Sequence, residues 1–490
     1  MRHSNPHRAL LALLVPALLN ACSLGTNLKA PAIATPDRYT SSTQPTQTAA
    51  PGGAAAEVQQ FVNGSEAPPQ WWTLYQSAEL NALVAQALAG SPQLAEASAR
   101  LRGAEADLAA EIGNTRYPAV NAQLQAEREK VDPGAFGFTQ FPQPPPFSLF
   151  NASVNASYTL DLFGANRHAV EMQRATVRYQ RYLWQSARLT LAANVVTAAI
   201  HRASILDQIS ALESVLAAQR RELEIVSARF AAGGVSALDV QAQRTQLAQN
   251  EAALAPLRGT AEQLTHQLAI YLGQAPAAAD LPELRFETLK LPATLPLALP
   301  STLARHRPDI AAAEAQLAEA GAAVGVATAN LYPQISLSAS LGSERTSIGS
   351  LGDGINVWSI GANLLQPLFR GGALRAQRRS ALAAYDAAAA TYQQTVLNGL
   401  QQVADALRAL EHDAEVLAAR EDALAQAEAG LAIAKQQLQV GGISEFSLEE
   451  AERTRALAQQ AHTGAAADQL ADTAALLQAL GGTSWVDAAP

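Results

Sequence analysis

The chain contains one order of sequence features twice, and this duplication is the strongest constraint on its fold. Four pairs of short motifs recur at offsets of 206 to 216 residues. They are Ser91-Pro92 with Arg307-Pro308, Tyr117-Pro118 with Tyr332-Pro333, Leu162-Phe163 with Leu368-Phe369, and Gly233-Gly234 with Gly441-Gly442. A nearly constant offset indicates one unit present twice, with small insertions and deletions.

Each half contains a long stretch without proline. No proline lies between Pro146 and Pro256, or between Pro367 and Pro490. Because proline breaks helix interiors, we predict long helices here, each ~100 Å at a rise of about 1.5 Å per residue. They cover about 165–232 and 374–440. Shorter helices, stacked end to end in pairs beside them, are predicted over about 78–113, 237–272, 301–331 and 443–480.

The two Gly-Gly pairs are predicted to form equivalent hairpin tips at one end of the long helices. Glycine accepts a positive φ, and a serine two residues after each pair can cap the next helix. The predicted tip residues are Gly233, Gly234, Val235, Ser236, Gly441, Gly442, Ile443 and Ser444.

Four other segments alternate between apolar and small neutral polar residues. They are 119–127, 149–162, 334–341 and 356–364. Val154 and Ile360, for example, fall on the apolar face, whereas Asn155 falls on the polar one. A period of two is typical of transmembrane β-strands, although a water-soluble sheet packed on helices has the same period.

Four strands are too few to cross a membrane alone. An open sheet edge in lipid leaves backbone groups unpaired at several kcal/mol each, and known barrels have about eight strands or more. We therefore expect a mainly α fold, a long helical coiled-coil barrel, with a transmembrane β part that several chains share.

The N-terminus has the pattern of an export signal. Arg2 and Arg8 precede an apolar segment over 9–19, which is too short to span a bilayer core of ~30 Å. Cys22 follows this segment and is the only cysteine. The pattern resembles a bacterial lipoprotein signal, with cleavage of residues 1–21 and a covalent lipid on Cys22; the alternative is a free or buried thiol. The Pro-, Thr- and Ser-rich stretch over 22–70 is expected to be an extended tether.

The chain resembles the TolC family of outer-membrane efflux channels, and within it the NodT-type lipoproteins. The resemblance covers nearly all of the chain from Trp71 to Gly482 and departs from the family at Arg370 and Ala373. It divides the chain into repeats at 71–272 and 301–482, a linker at 273–300 and a tail at 483–490. The stretches that carry it are WWTLYQSAELNALVAQAL, YTLDLFGANR, RPDIAAAEAQL, ANLYPQISLSASLG and QPLFRGGALRA.

The resemblance implies a homotrimer with a twelve-stranded barrel in the outer membrane and a twelve-helix tunnel in the periplasm. It further implies a passive conduit whose tips dock a periplasmic adaptor (membrane fusion) protein and an inner-membrane pump of the RND type. The exported compounds would be drugs, toxic compounds or metal ions.

Aligning SLEEAER with the family's tip motif assigns a periplasmic gate to Phe446, Glu450 and Arg453. The alternative is a solvated helix start, where acids favour the positive end of the helix dipole.

Other function classes are disfavoured. The formal net charge of −9 argues against nucleic acid as a partner. No HExxH motif occurs, and a single cysteine excludes the usual Cys/His zinc spacing. An enzyme is therefore not expected, and no cofactor besides the lipid. The competing interpretation is a non-channel periplasmic coiled-coil lipoprotein.

Overall fold

The computed structural model describes residues 28, 38–40, 46–48, 58–133, 137, 140, 143–300, 303 and 306–481. In chain order its main elements are β1 (Gln60–Asn63), α1 (Ala78–Gly90), α2 (Pro92–Arg116), β2 (Ala119–Glu129), β3 (Phe147–Leu160), α3 (Ala165–Ala231), α4 (Ala237–Tyr271), β4 (Thr294–Leu297), α5 (Pro308–Ala329), β5 (Gln334–Arg345), β6 (Val357–Leu365), α6 (Ala373–Gln439) and α7 (Glu445–Ala479). The order of helix, two strands, long helix and shorter helix thus occurs in both halves of the chain.

The chain forms two compact units. The sheet unit contains Leu101–Gln180 and Ala313–Tyr392, together with the described residue of Met1–Ala32. The helical unit contains the described residues of Ile33–Arg100, Arg181–Ala312 and Gln393–Pro490.

Four antiparallel strands in the order β2-β3-β5-β6 form the sheet of the first unit. Their register aligns the alternation of all four strands. One cross-strand row is Val120, Ala156, Ala339 and Ile360; the next is Asn121, Asn155, Ser340 and Ser359. The sheet therefore has one continuous apolar face and one polar face, as the period of two predicts.

All four connections between strands and helices leave the sheet at the same edge. Ala119, the first residue of β2, lies beside the end of β3, and Gln334, the first residue of β5, pairs with Leu365 at the end of β6. Leu160 at the end of β3 pairs with Ile335. The helices α2, α3, α5 and α6 thus attach here. We call this row of strand ends the junction edge; it is distinct from the two outer strands, β2 and β6.

The two long helices have the predicted lengths. Both α3 and α6 contain 67 residues, and their ends lie within one residue of the predicted bounds. The helices that follow, α4 and α7, contain 35 residues each. The absence of proline is a local property that permits long helices here, and the sequence shows it directly.

The helix predicted over 78–113 is two helices, which corrects the prediction. Helix α1 ends at Gly90, Ser91 is extended with ψ 121°, and Pro92 begins α2. A proline disfavours helical geometry in the residue before it, so the break falls at Ser91. In the second half, the described residues 300, 303 and 306 are helical, Arg307 is not, and α5 begins at Pro308, so the helix predicted over 301–331 is interrupted at the equivalent place.

The end of α4 lies against this break, as end-to-end stacking predicts. Gly273 has φ +73°, and a Cβ there would lie 2.2 Å from the carbonyl oxygen of Gly90. In the second half, a Cβ on Gly481 would lie 2.7 Å from the carbonyl oxygen of His306. The two halves therefore use the same close backbone approach.

The end of the N-terminal segment is built into the helical unit, unlike the tether expected over 22–70. Strand β1 pairs in parallel with β4, and Phe61 on β1 is buried. The Gln59 side chain, also buried, donates from Nε2 to Thr473 Oγ1 at 3.1 Å. This part of the chain therefore belongs to the core. Residues 1–27, which include Cys22, lie outside the described residues.

Two of the described helices, α3 and α5, contain an 18-residue stretch apolar enough to cross a bilayer by length and composition. In α3, however, 61% of that stretch is buried inside the protein. Core helices of soluble bundles have the same property, so composition alone does not assign a membrane span to either helix.

We predict that Gly273→Ala destabilises the helical unit by about 1–3 kcal/mol, because a side chain at this positive φ is strained and also meets the Gly90 carbonyl. The midpoint of thermal unfolding, followed by far-UV circular dichroism, measures the effect. Gly259→Ala is the matched control, since Gly259 lies within α4 with no atom near its Cβ position. Equal midpoints for Gly273→Ala and the wild type would contradict the prediction.

Candidate functional site at the hairpin tips

The first tip joins α3 to α4 through a tight turn. Gly233 has φ +79°, and the Gly234 amide donates to the carbonyl oxygen of Arg229 at 2.8 Å. Ser236 then caps α4: its Oγ accepts from the Asp239 amide at 3.3 Å, and the Asp239 carboxylate accepts from the Ser236 amide at 2.8 Å. The hydrogen bond from the Ser236 amide first, and then the one that Ser236 Oγ donates to the same carboxylate at 2.8 Å, hold the pKa of Asp239 below its usual value.

The second tip has the same geometry between α6 and α7. Gly441 has φ +76°, the Gly442 amide donates to the carbonyl oxygen of Gln437 at 2.8 Å, and Ser444 Oγ accepts from the Ser447 amide at 3.2 Å. At the second tip, Ser447 occupies the position that Asp239 holds at the first. The glycines and capping serines of both tips are exposed, whereas Val235 and Ile443 are half-buried.

The predicted gate residues lie on an exposed face at the start of α7. Arg453 Nε donates to Glu450 Oε2 at 2.9 Å, and Nη2 contacts the other carboxylate oxygen. This hydrogen bonding lowers the pKa of Glu450. The Phe446 side chain is 63% exposed. The structure thus brings Glu450 and Arg453 together, and it leaves an aromatic ring open beside them.

A second stripe of α7 faces the first hairpin instead of solvent. Glu445 at its start forms an ion pair with Arg229 of α3. Near this pair lie further carboxylates, Glu222 on α3 and Glu449 and Glu452 on α7. We call these five residues the tip cluster. It connects the two hairpins of one chain through four acids and one base.

The tip cluster contains carboxylates that burial makes difficult to ionise. Burial first, and then the charge of Glu445, raises the pKa of Glu222. Burial also raises the pKa of Glu449, against a hydrogen bond with Gln243 that lowers it. Glu222 Oε1 and Glu449 Oε1 are each buried without a hydrogen-bond partner among the described residues. Burial of Glu222 and Glu449 therefore opposes their full ionisation.

Comparison with known proteins identifies the family of this chain. The sequence profile of the outer membrane efflux protein family matches residues 83–274 and 299–482. The pyoverdine export outer membrane protein OpmQ of Pseudomonas aeruginosa is 32% identical over 415 residues, or 84% of this chain and 87% of OpmQ.

The chain belongs to the outer membrane efflux protein family. Outer membrane protein OprJ of Pseudomonas aeruginosa is 29% identical over 409 residues, or 81% of this chain and 80% of OprJ. The solved outer-membrane channel OprN matches with a TM-score of 0.79 at 28% identity, over 94% of this chain and 99% of OprN.

This protein is therefore an outer-membrane efflux channel, as the resemblance predicted, and its fold is that of the solved channels. These matches favour a channel over a non-channel coiled-coil lipoprotein. Among the described residues of the channel, no group of three or more His, Cys, Asp or Glu side chains could hold a metal ion.

The tip cluster of this channel was not predicted from the sequence, although one signal for it was present. Glu445, Glu449 and Glu452 are spaced by four and three residues, so they share one stripe of α7. The gate residues Phe446 and Glu450 fall on the adjacent stripe. Which stripe faces α3 depends on tertiary packing, so spacing alone did not distinguish them.

We predict that acidification strengthens the contact between the two hairpins. A carboxyl whose pKa is raised in the folded state binds more protons there than in the unfolded state, so its contribution to stability is present at low pH. That contribution is lost as pH rises through the raised pKa values of Glu222 and Glu449. Hydrogen exchange of peptides covering both tips, corrected for intrinsic rates, should show more protection at pH 5.5 than at pH 7.5.

The variant Glu222→Gln/Glu449→Gln should remove this difference between the two pH values, whereas Glu450→Gln should keep it, because the pKa of Glu450 is lowered. The measurement has to be confined to peptides of the two tips, because another carboxyl group of the chain also has a raised pKa. Burial, reinforced by Asp472, raises the pKa of Asp413 to about 7 elsewhere in the helical unit. An unchanged pH dependence in the double variant would refute the assignment to the tip cluster.

Proposed function

We propose that three copies of this chain share one closed barrel of twelve strands and act as the passive outer-membrane conduit of a tripartite efflux system. The observation that carries this proposal is the sheet of four strands, which has an apolar face across its full width and strands β2 and β6 at its edges. Within the described chain, neither β2 nor β6 pairs on its outer side. In lipid such edges must be closed, and neighbouring chains can supply the missing strands.

The exposure of the apolar face supports a location in lipid. Trp358 and Ile360 on β6 are 72% and 80% exposed, and Leu124 on β2 is 72% exposed. Exposed aliphatic and aromatic side chains in a continuous row are unusual for a water-soluble surface. The opposite face carries Asn, Ser and Gln, which suit a water-filled lumen.

The tips are the part that would meet the other components. Two equivalent exposed turns, at Gly233-Gly234 and Gly441-Gly442, offer a repeated surface to a periplasmic adaptor protein, with an RND-type pump beyond it. The channel would consume no energy and catalyse no reaction. Since OpmQ is named for pyoverdine export, this channel would likewise export small compounds such as drugs, toxic compounds or metal ions.

At rest, the gate at Phe446, Glu450 and Arg453 would narrow the inner end. Three-fold symmetry would turn each exposed side chain into a ring of three. One exposed ion pair contributes only about 0.2–1 kcal/mol, so closure would depend on contacts repeated around the ring. Adaptor docking would shift the balance toward the open state through its differential affinity for the two states.

The barrel assignment predicts different effects of arginine on the two faces of β3. Val154→Arg would place a charge near the bilayer midplane at a cost of roughly 2–4 kcal/mol, whereas Asn155→Arg would face the lumen and cost less. Heat-modifiable migration of outer-membrane extracts measures assembly. Equal assembly of the two variants would show that the apolar face does not contact lipid.

The gate assignment predicts a leaky channel when its contacts are removed. Phe446→Ala with Arg453→Ala should raise the resting conductance in planar bilayers without adaptor, because the ring loses both its apolar constriction and its ion pairs. Asp239→Ala at the other tip is the control and should leave conductance unchanged. If the double variant conducts like the wild type, these residues form only a solvated helix start.

The lipid anchor is proposed from the sequence pattern alone. Cys22→Ser should abolish labelling by a clickable fatty acid, because its thiol would be the attachment point. Partial channel function should persist, since the barrel also holds the protein in the membrane. Labelling of the variant at the wild-type level would rule out Cys22 as the attachment site.

A further inference from the structure

We propose that the junction edge carries a binding surface for the anionic headgroups of phospholipids, in the membrane leaflet that faces the helices. The surface consists of Arg116, Arg167, Arg370, Arg375, Arg378 and Arg379, which we call the arginine band. The inference rests on the proposed function, because only a sheet that spans the membrane places this edge at the headgroups.

The arginine band lies where the strands end. Arg116 is the last residue of α2, while Arg167 and Arg375 each occupy the third position of a long helix. Arg378 and Arg379 follow within ~10 Å of the start of α6, at about 1.5 Å per residue. The headgroup region on each side of a bilayer is about 5–8 Å thick. With their long side chains, all six guanidinium groups can reach this region.

Within a single chain these arginines are open to a ligand. Five of the six are exposed; Arg378 is half-buried and donates from Nε to Thr328 Oγ1 at 3.1 Å. None of the six is in an ion pair with another described residue. In the helical unit some exposed arginines, such as Arg220 and Arg258, have carboxylate partners, whereas others, such as Arg221, are likewise without an ion pair among the described residues.

The acids at the same edge are already engaged. The Asp161 carboxylate accepts from the backbone amides of Asn166 and Arg167 at 3.0 and 2.8 Å. Glu171 contacts the Nδ1 atom of His168 at 2.6 Å. The remaining acid near the junctions is Glu111 on α2.

The opposite edge of the sheet has the reverse charge balance. Its acids are Glu127, Glu129, Asp132, Glu344 and Asp353, and its bases are Arg128, Lys130 and Arg345. The positive excess is therefore specific to the side of the sheet from which the helices extend.

Exposed apolar side chains lie among the arginines, which favours a lipid surface over a soluble partner. Leu368 and Phe369 directly precede Arg370 and are 93% and 89% exposed. Tyr117 directly follows Arg116 and is 65% exposed. Aromatic rings at the interface, with arginines extending into the headgroups, are typical of proteins anchored at a bilayer surface. Anionic lipids attract such clusters electrostatically.

The test measures lipid selectivity of the full-length protein in nanodiscs containing phosphatidylethanolamine and phosphatidylglycerol. Native mass spectrometry then counts the lipids that remain bound after release from the disc. The wild type should retain phosphatidylglycerol several-fold over its share of the mixture at 0.05 M salt. This enrichment should fall at 1 M salt, because screening weakens contacts between exposed charges. If the wild type shows no enrichment of phosphatidylglycerol, this result alone overturns the proposal.

The variant Arg370→Gln/Arg375→Gln/Arg379→Gln should lose most of the enrichment, while replacement of the same three residues by Lys should keep it. Arg221→Gln/Arg244→Gln/Arg420→Gln is the matched control, since these arginines are exposed in the helical unit. The proposal would be overturned if the control variant also lost the phosphatidylglycerol enrichment, or if neither Gln variant lost it. If the Gln junction variant inserts and conducts normally but retains phosphatidylglycerol, the inference fails while the proposed channel stands. A wild type that fails to insert would instead contradict the channel proposal.

Discussion

Backbone pairing at the sheet edges is the constraint on which the rest of this structure depends. Strands β2 and β6 present donors and acceptors that have no partner on their outer side within the described chain. In water these groups would bind solvent, but in a bilayer each unpaired group costs several kcal/mol. The same four strands expose an apolar face that water would not favour. Lipid satisfies the apolar face but not the edges, and the proposed association of chains would pair the backbone groups that remain at β2 and β6.

Duplication of the sequence produces this unfinished sheet. Each half contributes two strands, and the register places β3 of the first half beside β5 of the second. Because every strand–helix connection leaves at the junction edge, α2 and α5 end there and the long helices α3 and α6 start there. This topology thus separates the strands, which suit lipid, from the helices, which suit water. It also fixes where the arginine band falls along the sequence.

The sequence predicted features that depend on local pattern and missed those that depend on packing. The period of two predicted the strands, and the absence of proline predicted α3 and α6, because both signals are contained within each segment. The pairing of β1 with β4 joins residues more than 230 positions apart and has no local signal. Ser91-Pro92 was visible as a repeated motif and carries a local break signal, which the prediction of one helix over 78–113 did not use. At the second tip, Glu450 and Arg453 are three residues apart on one helix and contact each other, whereas the ion pair of Glu445 with Arg229 joins distant segments and has no local signal.

The charges of the tip cluster bear on how easily the proposed gate could move. The tip cluster contains four carboxylates and one guanidinium group, which forms its ion pair with Glu445. Two of its buried carboxylate oxygens have no hydrogen-bond partner among the described residues, so this contact is weaker than its close packing suggests. Regions that move are drawn from the least stable parts of a protein. Since α7 carries the tip cluster on one stripe and Phe446 on the adjacent stripe, a small rotation of its first turns would loosen the contact with α3 and displace the aromatic ring together. An adaptor would then need only a modest preference for the rotated state, because the resting contact opposes that rotation weakly.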